Sequence, residues 1–201
     1  MAIDVVLLPS EEMTEEAISL NRSLSKESGT GIHLNKKDCL PHLSLWMGCI
    51  EEKDILAAEH ILKGIAQQHP ALELIAQRIN TATLSTGKNL SGITVKNTRE
   101  LQRLHKDVLE RLRDILSYDV DAGMLFNPAD IDETTLTWIR NYATLKQNPS
   151  QFHPHITVGF GEPAKGISLH SFSASTLALC HLGNDCTCKN ILFSIALGKE
   201  I

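Results

Sequence analysis

His42 and Ser44 stand one residue apart in PHLSLWMG (residues 41–48), and His155 and Thr157 stand the same way in PHITVGFG (residues 154–161). Each copy reads Pro-His-apolar-Ser/Thr-apolar-x-apolar-Gly. Imidazole changes charge near neutral pH, so a pair of histidines can act as general base and general acid on opposite sides of one reacting centre. A hydroxyl beside each imidazole can donate a hydrogen bond to a non-bridging phosphate oxygen. No Lys, Arg, Asp or Glu lies between Asp38 and Glu51, or between Lys146 and Glu162. The two segments therefore offer neutral donors and imidazole, which suits a phosphodiester monoanion better than a polyphosphate.

The alternation in both copies predicts strands. On a regular strand His42, Ser44, Trp46 and Gly48 share one face and Leu43, Leu45 and Met47 the other, while His155, Thr157, Gly159 and Gly161 lie opposite Ile156, Val158 and Phe160. Pro41 and Pro154 fall at the strand starts, where a missing N–H is tolerated, and the glycines leave room for a ligand or another backbone. Trp46, in line with His42 and Ser44, and Phe152, beside the second copy, are candidates to stack on a base, with packing between the two halves as the competing role. His153 and His155 form a His-x-His pair of the kind that can chelate a metal. With no acid near either copy in sequence, His153 is read as flanking a cleft and no metal is expected.

Strands and helices must alternate to position these residues. Residues 3–9 read as a strand, and Ser10 followed by Glu11 and Glu12 as the capped, acidic start of a helix that Gly29 ends. The first motif strand, residues 40–50, leads into a helix near 52–68 closed by His69-Pro70. Strands follow at 72–84 and 92–97, then a periodic helix over 98–116 with Leu101, Leu104, Val108, Leu112 and Ile115 on one face and a solvated charged face opposite. An irregular segment, 119–133, precedes a helix at 136–145, the second motif strand, and two closing strands near 172–182 and 189–197.

Hydrophobic residues are 42% and charged residues 21% of the 201 positions, a composition with material for a sizeable core. The net charge of −5 argues against a long nucleic-acid surface, which needs many cations, and leaves small or short anionic ligands open. The opening MAIDVVLLPS has no basic leader and no apolar run reaches membrane-spanning length, so a cytoplasmic protein without a membrane partner is expected. Five cysteines, Cys39, Cys49, Cys180, Cys186 and Cys188, are an odd number and are read as reduced thiols, those of CHLGNDCTC lying around a Gly183-Asn184 hairpin turn rather than holding zinc.

The ordered pair of motifs, together with the opening strand ending LLP and the second copy written FHPHITVGFG, resembles the two-histidine phosphoesterase superfamily, which includes RNA 2′,3′-cyclic phosphodiesterases long labelled 2′-5′ RNA ligases. The resemblance implies an α+β fold over residues 1–201 as one bilobal domain, its two pseudo-symmetric lobes each having an antiparallel sheet and flanking helices, with the active-site cleft between them. It implies His42 and His155 as the catalytic pair, Ser44 and Thr157 as phosphate-binding hydroxyls, and metal-independent chemistry without a cofactor. The expected substrate is a cyclic or 2′-5′ phosphodiester on a nucleotide or short RNA end, acted on by a monomer. A non-catalytic binding module of the same fold is the alternative, and a metal-dependent hydrolase using His153, His155 and the cysteines a further one.

Overall fold

The computed structural model describes residues 1–28, 31–146, 151–164 and 166–198. Its strands are β1 (Ala2–Leu8), β2 (Leu43–Cys49), β3 (Leu72–Thr83), β4 (Asn89–Val95), β5 (His155–Phe160), β6 (Ser171–Ala174), β7 (Thr176–Leu182) and β8 (Cys188–Ala196). Its helices are α1 (Glu11–Ser28), α2 (Ile55–Ala66), α3 (Arg99–Leu112) and α4 (Glu133–Lys146). Local signals set most boundaries. Ser10 Oγ accepts from Met13 N at 3.5 Å where α1 begins, and Thr98 Oγ1 accepts from Leu101 N at 3.3 Å where α3 begins, each satisfying an orphan donor of a first turn. The predicted stop at Gly29 lies outside the described residues. The irregular segment after α3 contains two single 3₁₀ turns, Ala122–Met124 and Pro128–Asp130.

The strands form one antiparallel sheet in the order β6-β3-β4-β5-β2-β1-β7-β8. The motif strands β2 and β5 are its central neighbours, yet they meet at a single residue pair, Leu43 with Ile156. Four strands thus stand on each side of the junction, with a motif strand innermost in each set. The run read as one strand over 172–182 is two: it breaks at Ser175, β6 pairing with β3 and β7 with β1. Consecutive Cα atoms lie about 3.8 Å apart, so strands six places apart in the sheet but one residue apart in the chain require the sheet to curl until its two sides approach. Ser10 N donates to Ser173 O at 2.8 Å across that closure.

Helices cross between the halves: α1 packs against β5, while α3 and α4 pack against β2. Both faces of β1 are covered, since Ala2, Ile3, Val5, Val6 and Leu7 are all fully buried. At about 25 cal/mol per Å² of apolar surface removed from water, such a strand anchors the fold strongly. Asp4, in its middle, is fully buried too.

The cysteines depart from the expectation of reduced thiols. Cys180 and Cys188 are joined by a disulfide between β7 and β8, leaving Cys39, Cys49 and Cys186 free. The pairing is not legible in sequence, which shows two cysteines eight apart around a turn, whereas the sheet brings their Cα atoms to 5.6 Å, within bridging range. The turn itself is a single 3₁₀ turn, Asn184–Cys186. Among the described residues no helix is long and apolar enough to cross a membrane.

Candidate active site

Both motif strands break their alternation at the same place. Val5 pairs with Trp46 but Val6 with Ser44, so Leu45 is an extra residue in β2; Ser91 pairs with Gly159 but Gly92 with Thr157, so Val158 is an extra residue in β5. Each is a β-bulge, which re-aims every side chain beyond it. Ser44, Val6, Asp4 and Met47 consequently share a face, and Trp46 turns to the other. This corrects the expectation that Trp46 faces a ligand: it is fully buried, donates Nε1–H to the Tyr118 hydroxyl at 2.6 Å, and packs against His105 and edge-on to Tyr142. Regular alternation extends only as far as Ser44.

The displaced carbonyls at the two bulges are each bound by a buried side chain. His105 of α3 donates from Nδ1 to Leu45 O at 2.8 Å. Asn21 of α1 donates from Nδ2 to Val158 O and Ile32 O, both at 2.7 Å, and accepts from Leu34 N at 2.9 Å. Gly159, with φ 133°, is required there: a Cβ would stand 2.7 Å from Asn21 Nδ2. The helix that crosses from the opposite half thus locks one bulge, and α3 locks the other.

The histidines are oriented alike. His42 donates from Nδ1 to Leu40 O at 2.7 Å, and His155 from Nδ1 to His153 O at 2.9 Å. With Nδ1 carrying the hydrogen, Nε2 is the nitrogen that can exchange a proton with a ligand. Their surroundings differ. His155 is exposed, whereas the His42 side chain is only 12% exposed, and burial, followed by the nearby His155, lowers its pKa from the usual histidine value.

Beneath His42 and Ser44 lies Asp4, which the repeated motif does not mark because it sits on β1, far off in sequence. Its Oδ2 is 2.6 Å from Ser44 Oγ and 3.7 Å from His42 Nε2, and its Oδ1 is buried with no hydrogen-bond partner among the described residues. Burial pushes the Asp4 carboxyl well above the ordinary carboxylate range, the bond with Ser44 opposing this only in part. At 3.7 Å the contact with His42 is too long for a hydrogen bond, and burial disfavours charge on both groups. The available signal was one acid inside the otherwise apolar run IDVVLL.

His42, Ser44, His155 and Thr157 all line one cavity of about 320 Å³. Phe152 and His153 also line it, and together with His155 and Thr157 they border a neighbouring cavity of about 560 Å³ over β3 and β4. Phe152 is buried, however, its ring stacked on that of His105 at 3.9 Å, so most of its surface is used for packing. The aromatic residue that does reach the cavity half-exposed is Trp138 of α4, which the motif-centred reading passed over; Tyr142, one turn on, lies beside it. Among the described residues lining this cavity there is no Lys or Arg, and Asp185 carries the only carboxylate. Its pKa is raised by burial first and by Asp132 second. Cys186, also in the wall, is held as the thiol by burial.

The zinc alternative fares poorly on its own residues. Cys180 and Cys188 are bonded to each other, and His181 shares a 3.0 Å hydrogen bond with Met124 O. Among the described residues no three His, Cys, Asp or Glu side chains converge as a metal site would require.

No protein-family model matches the chain. No curated protein matches it either. Solved structures do: the chain superposes on TT0787 of Thermus thermophilus with a TM-score of 0.60 at 15% identity, covering all of both chains. It superposes on E. coli LigT in its apo form with a TM-score of 0.52 at 15% identity, covering 98% of each. LigT complexed with phosphate gives 0.51 at 13% identity, covering 98% of this chain and 97% of that one. The chain has the fold of these proteins.

Proposed function

We propose that the chain is a two-histidine phosphoesterase that opens a 2′,3′-cyclic or related phosphodiester on a nucleotide or short RNA end, without a metal. The observation that supports this most is that both histidines and both hydroxyls of the repeated motif border one cavity of about 320 Å³, a volume suited to a nucleotide-sized ligand. The LigT fold is consistent with it, as are the complexes of E. coli LigT with 3′-AMP and ATP.

The difference between the histidines suggests their roles. His42, largely enclosed and with its pKa lowered, starts neutral and takes the proton of the attacking water at Nε2. His155, exposed to solvent that can resupply its proton, donates to the departing ribose oxygen. A P–O bond to water forms, the P–O bond to the ribose oxygen breaks, and one proton enters His42 as one leaves His155. Ser44 and Thr157 hold the non-bridging oxygens, and Trp138 offers a face to the base. In the reverse direction the roles exchange.

The test is turnover of 2′,3′-cyclic nucleotides, RNA ends bearing the cyclic phosphate, and 2′-5′ linked dinucleotides, in buffer with EDTA. Metal-independent turnover of one class, abolished in His42→Ala, supports the reading. Tight binding of all three without turnover would instead favour a non-catalytic binding module.

A further inference from the structure

Asp4 has a chemistry that the two-histidine scheme leaves unused. It is fully buried in strand β1, its Oδ2 lies 2.6 Å from Ser44 Oγ, and its Oδ1 has no hydrogen-bond partner among the described residues. The hydrogen bond between Oδ2 and Oγ can run in either direction, and the direction decides what Ser44 does. If Asp4 is a carboxylate, Ser44 must donate to it, and its only hydrogen is then turned away from the cavity. A buried negative charge would also face an incoming phosphodiester monoanion across one hydroxyl. If Asp4 keeps its proton, the carboxylic acid donates to Ser44 Oγ and the Ser44 hydrogen is released toward the cavity.

We propose that Asp4 is a positioning residue of the candidate site: as the neutral acid it donates from Oδ2 to Ser44 Oγ and thereby aims the Ser44 hydroxyl at a phosphoryl oxygen of the ligand. Each group facing Asp4 is compatible with the neutral acid. From β2 come Ser44 and His42, the latter with its own charge disfavoured by burial. From β7 comes Cys180, which pairs with Asp4 across the sheet and is tied up in the disulfide. From α4 comes Tyr142, and from the turn before β8 comes Cys186, both held in their neutral forms by burial. No Lys or Arg among these supplies a counter-charge, and buried carboxylates without one take a proton. The orphaned Oδ1 fits the same picture, since an ionised carboxylate with one oxygen unbonded is the costlier of the two forms to bury.

The role rests on the phosphoesterase reading, but its decisive measurement does not. Carboxyl carbon resonances are followed with pH in protein labelled with ¹³C at Asp, the Asp4 signal being the one missing from Asp4→Asn. A resonance still that of the protonated acid at pH 7 is expected; titration in the ordinary range near 3.8 would overturn the proposal whether or not any diester is turned over. For the active enzyme, Asp4→Ala should lower kcat/KM about 10²-fold, as loss of one oriented donor does. Asp4→Asn, whose amide can still donate to Ser44, should recover most of that loss. It should also keep its rate at high pH, where the wild type declines as Asp4 ionises. Equal loss in Asp4→Ala and Asp4→Asn with identical pH profiles would reduce Asp4 to a packing role. Absence of turnover in the wild type with a protonated Asp4 would remove the phosphoesterase reading and leave the carboxyl assignment standing.

Discussion

The two motif strands carry the same His-apolar-Ser/Thr pattern in the same local geometry, down to a bulge directly after the Ser or Thr, and yet they are built into different surroundings. β2 is enclosed. Its His42 is 12% exposed, its Ser44 is backed by the buried Asp4, and its Trp46 fills the space between α3 and α4. β5 is open. Its His155 is exposed beside Thr94 and Gly92 of β4, where a Cβ on residue 92 would come within 3.4 Å of the His155 ring. Where β2 has Trp46, β5 has Gly159, and the volume is taken by Asn21. A repeated motif therefore sets which groups meet, and the packing around each copy sets their protonation. Enclosure disfavours charge on one imidazole, while the other faces solvent.

The largest test of this contrast is the histidine pair. His42→Ala and His155→Ala should each reduce turnover by about 10²- to 10⁴-fold, the usual worth of a general acid or base. They should differ in stability: His155→Ala should leave the Tm unchanged because the ring is exposed, whereas His42→Ala removes a partly buried group bonded to Leu40 O and should lower it. Full activity in either variant would take that histidine out of the mechanism, and equal Tm values would weaken the contrast between the strands.

The hydroxyls come next. Ser44→Ala and Thr157→Ala should each cost less than the histidine changes, toward the lower end of the roughly 2.7 to 4 kcal/mol found for a lost transition-state donor. Only Ser44→Ala should also destabilise the fold, by about 1–3 kcal/mol, since it strands the Asp4 carboxyl without any partner. Denaturant melts of the two variants at neutral pH check this, and a matching loss in Thr157→Ala would contradict it.

Trp138→Ala should raise KM by an amount consistent with one stacking contact, about 1–3 kcal/mol, with little change in Tm. Trp46→Phe should do the opposite, losing the bond to Tyr118 and some stability at an unaltered KM. If the two variants exchanged these effects, the bulge in β2 would not direct its side chains as described.

Stability against pH separates the two groups in one measurement. Asp4 binds its proton more tightly in the folded state, so between the unfolded value near 3.8 and its raised folded value the native protein holds a proton that the unfolded chain releases. Its contribution is thus fully present at low pH and is lost as pH rises through that window. His42 acts in the reverse sense: with its folded value below 6.5, its contribution is present above that pH and declines as pH falls through the folded value. In Asp4→Asn the first dependence should vanish and the second remain, read from Tm between pH 4 and 8. A wild-type profile superimposable on that of Asp4→Asn would show that Asp4 titrates as it does in the unfolded chain.

Much of this was legible in the chain. Apolar alternation and a cap such as Ser10 are local, so strands and helices could be placed to within a few residues. The doubled His-x-Ser/Thr pattern is local as well, and it singled out four of the side chains that line the cavity. What the sequence by itself determined is therefore which groups are present and on which kind of element, because propensity, capping and period act over a few bonds. The tertiary structure alone decided the rest. It bulged β2 at Leu45 and so sent Trp46 to the core and Met47 to the cavity, since a bulge arises from pairing with β1. It parted β6 from β7 at Ser175, joined Cys180 to Cys188 across two strands, and presented Trp138 from a helix remote from both motifs. It also laid Asp4 under Ser44, forty residues away along the chain, and excluded water there. Protonation depends on burial and neighbours in space, and neither is a property of nearby sequence.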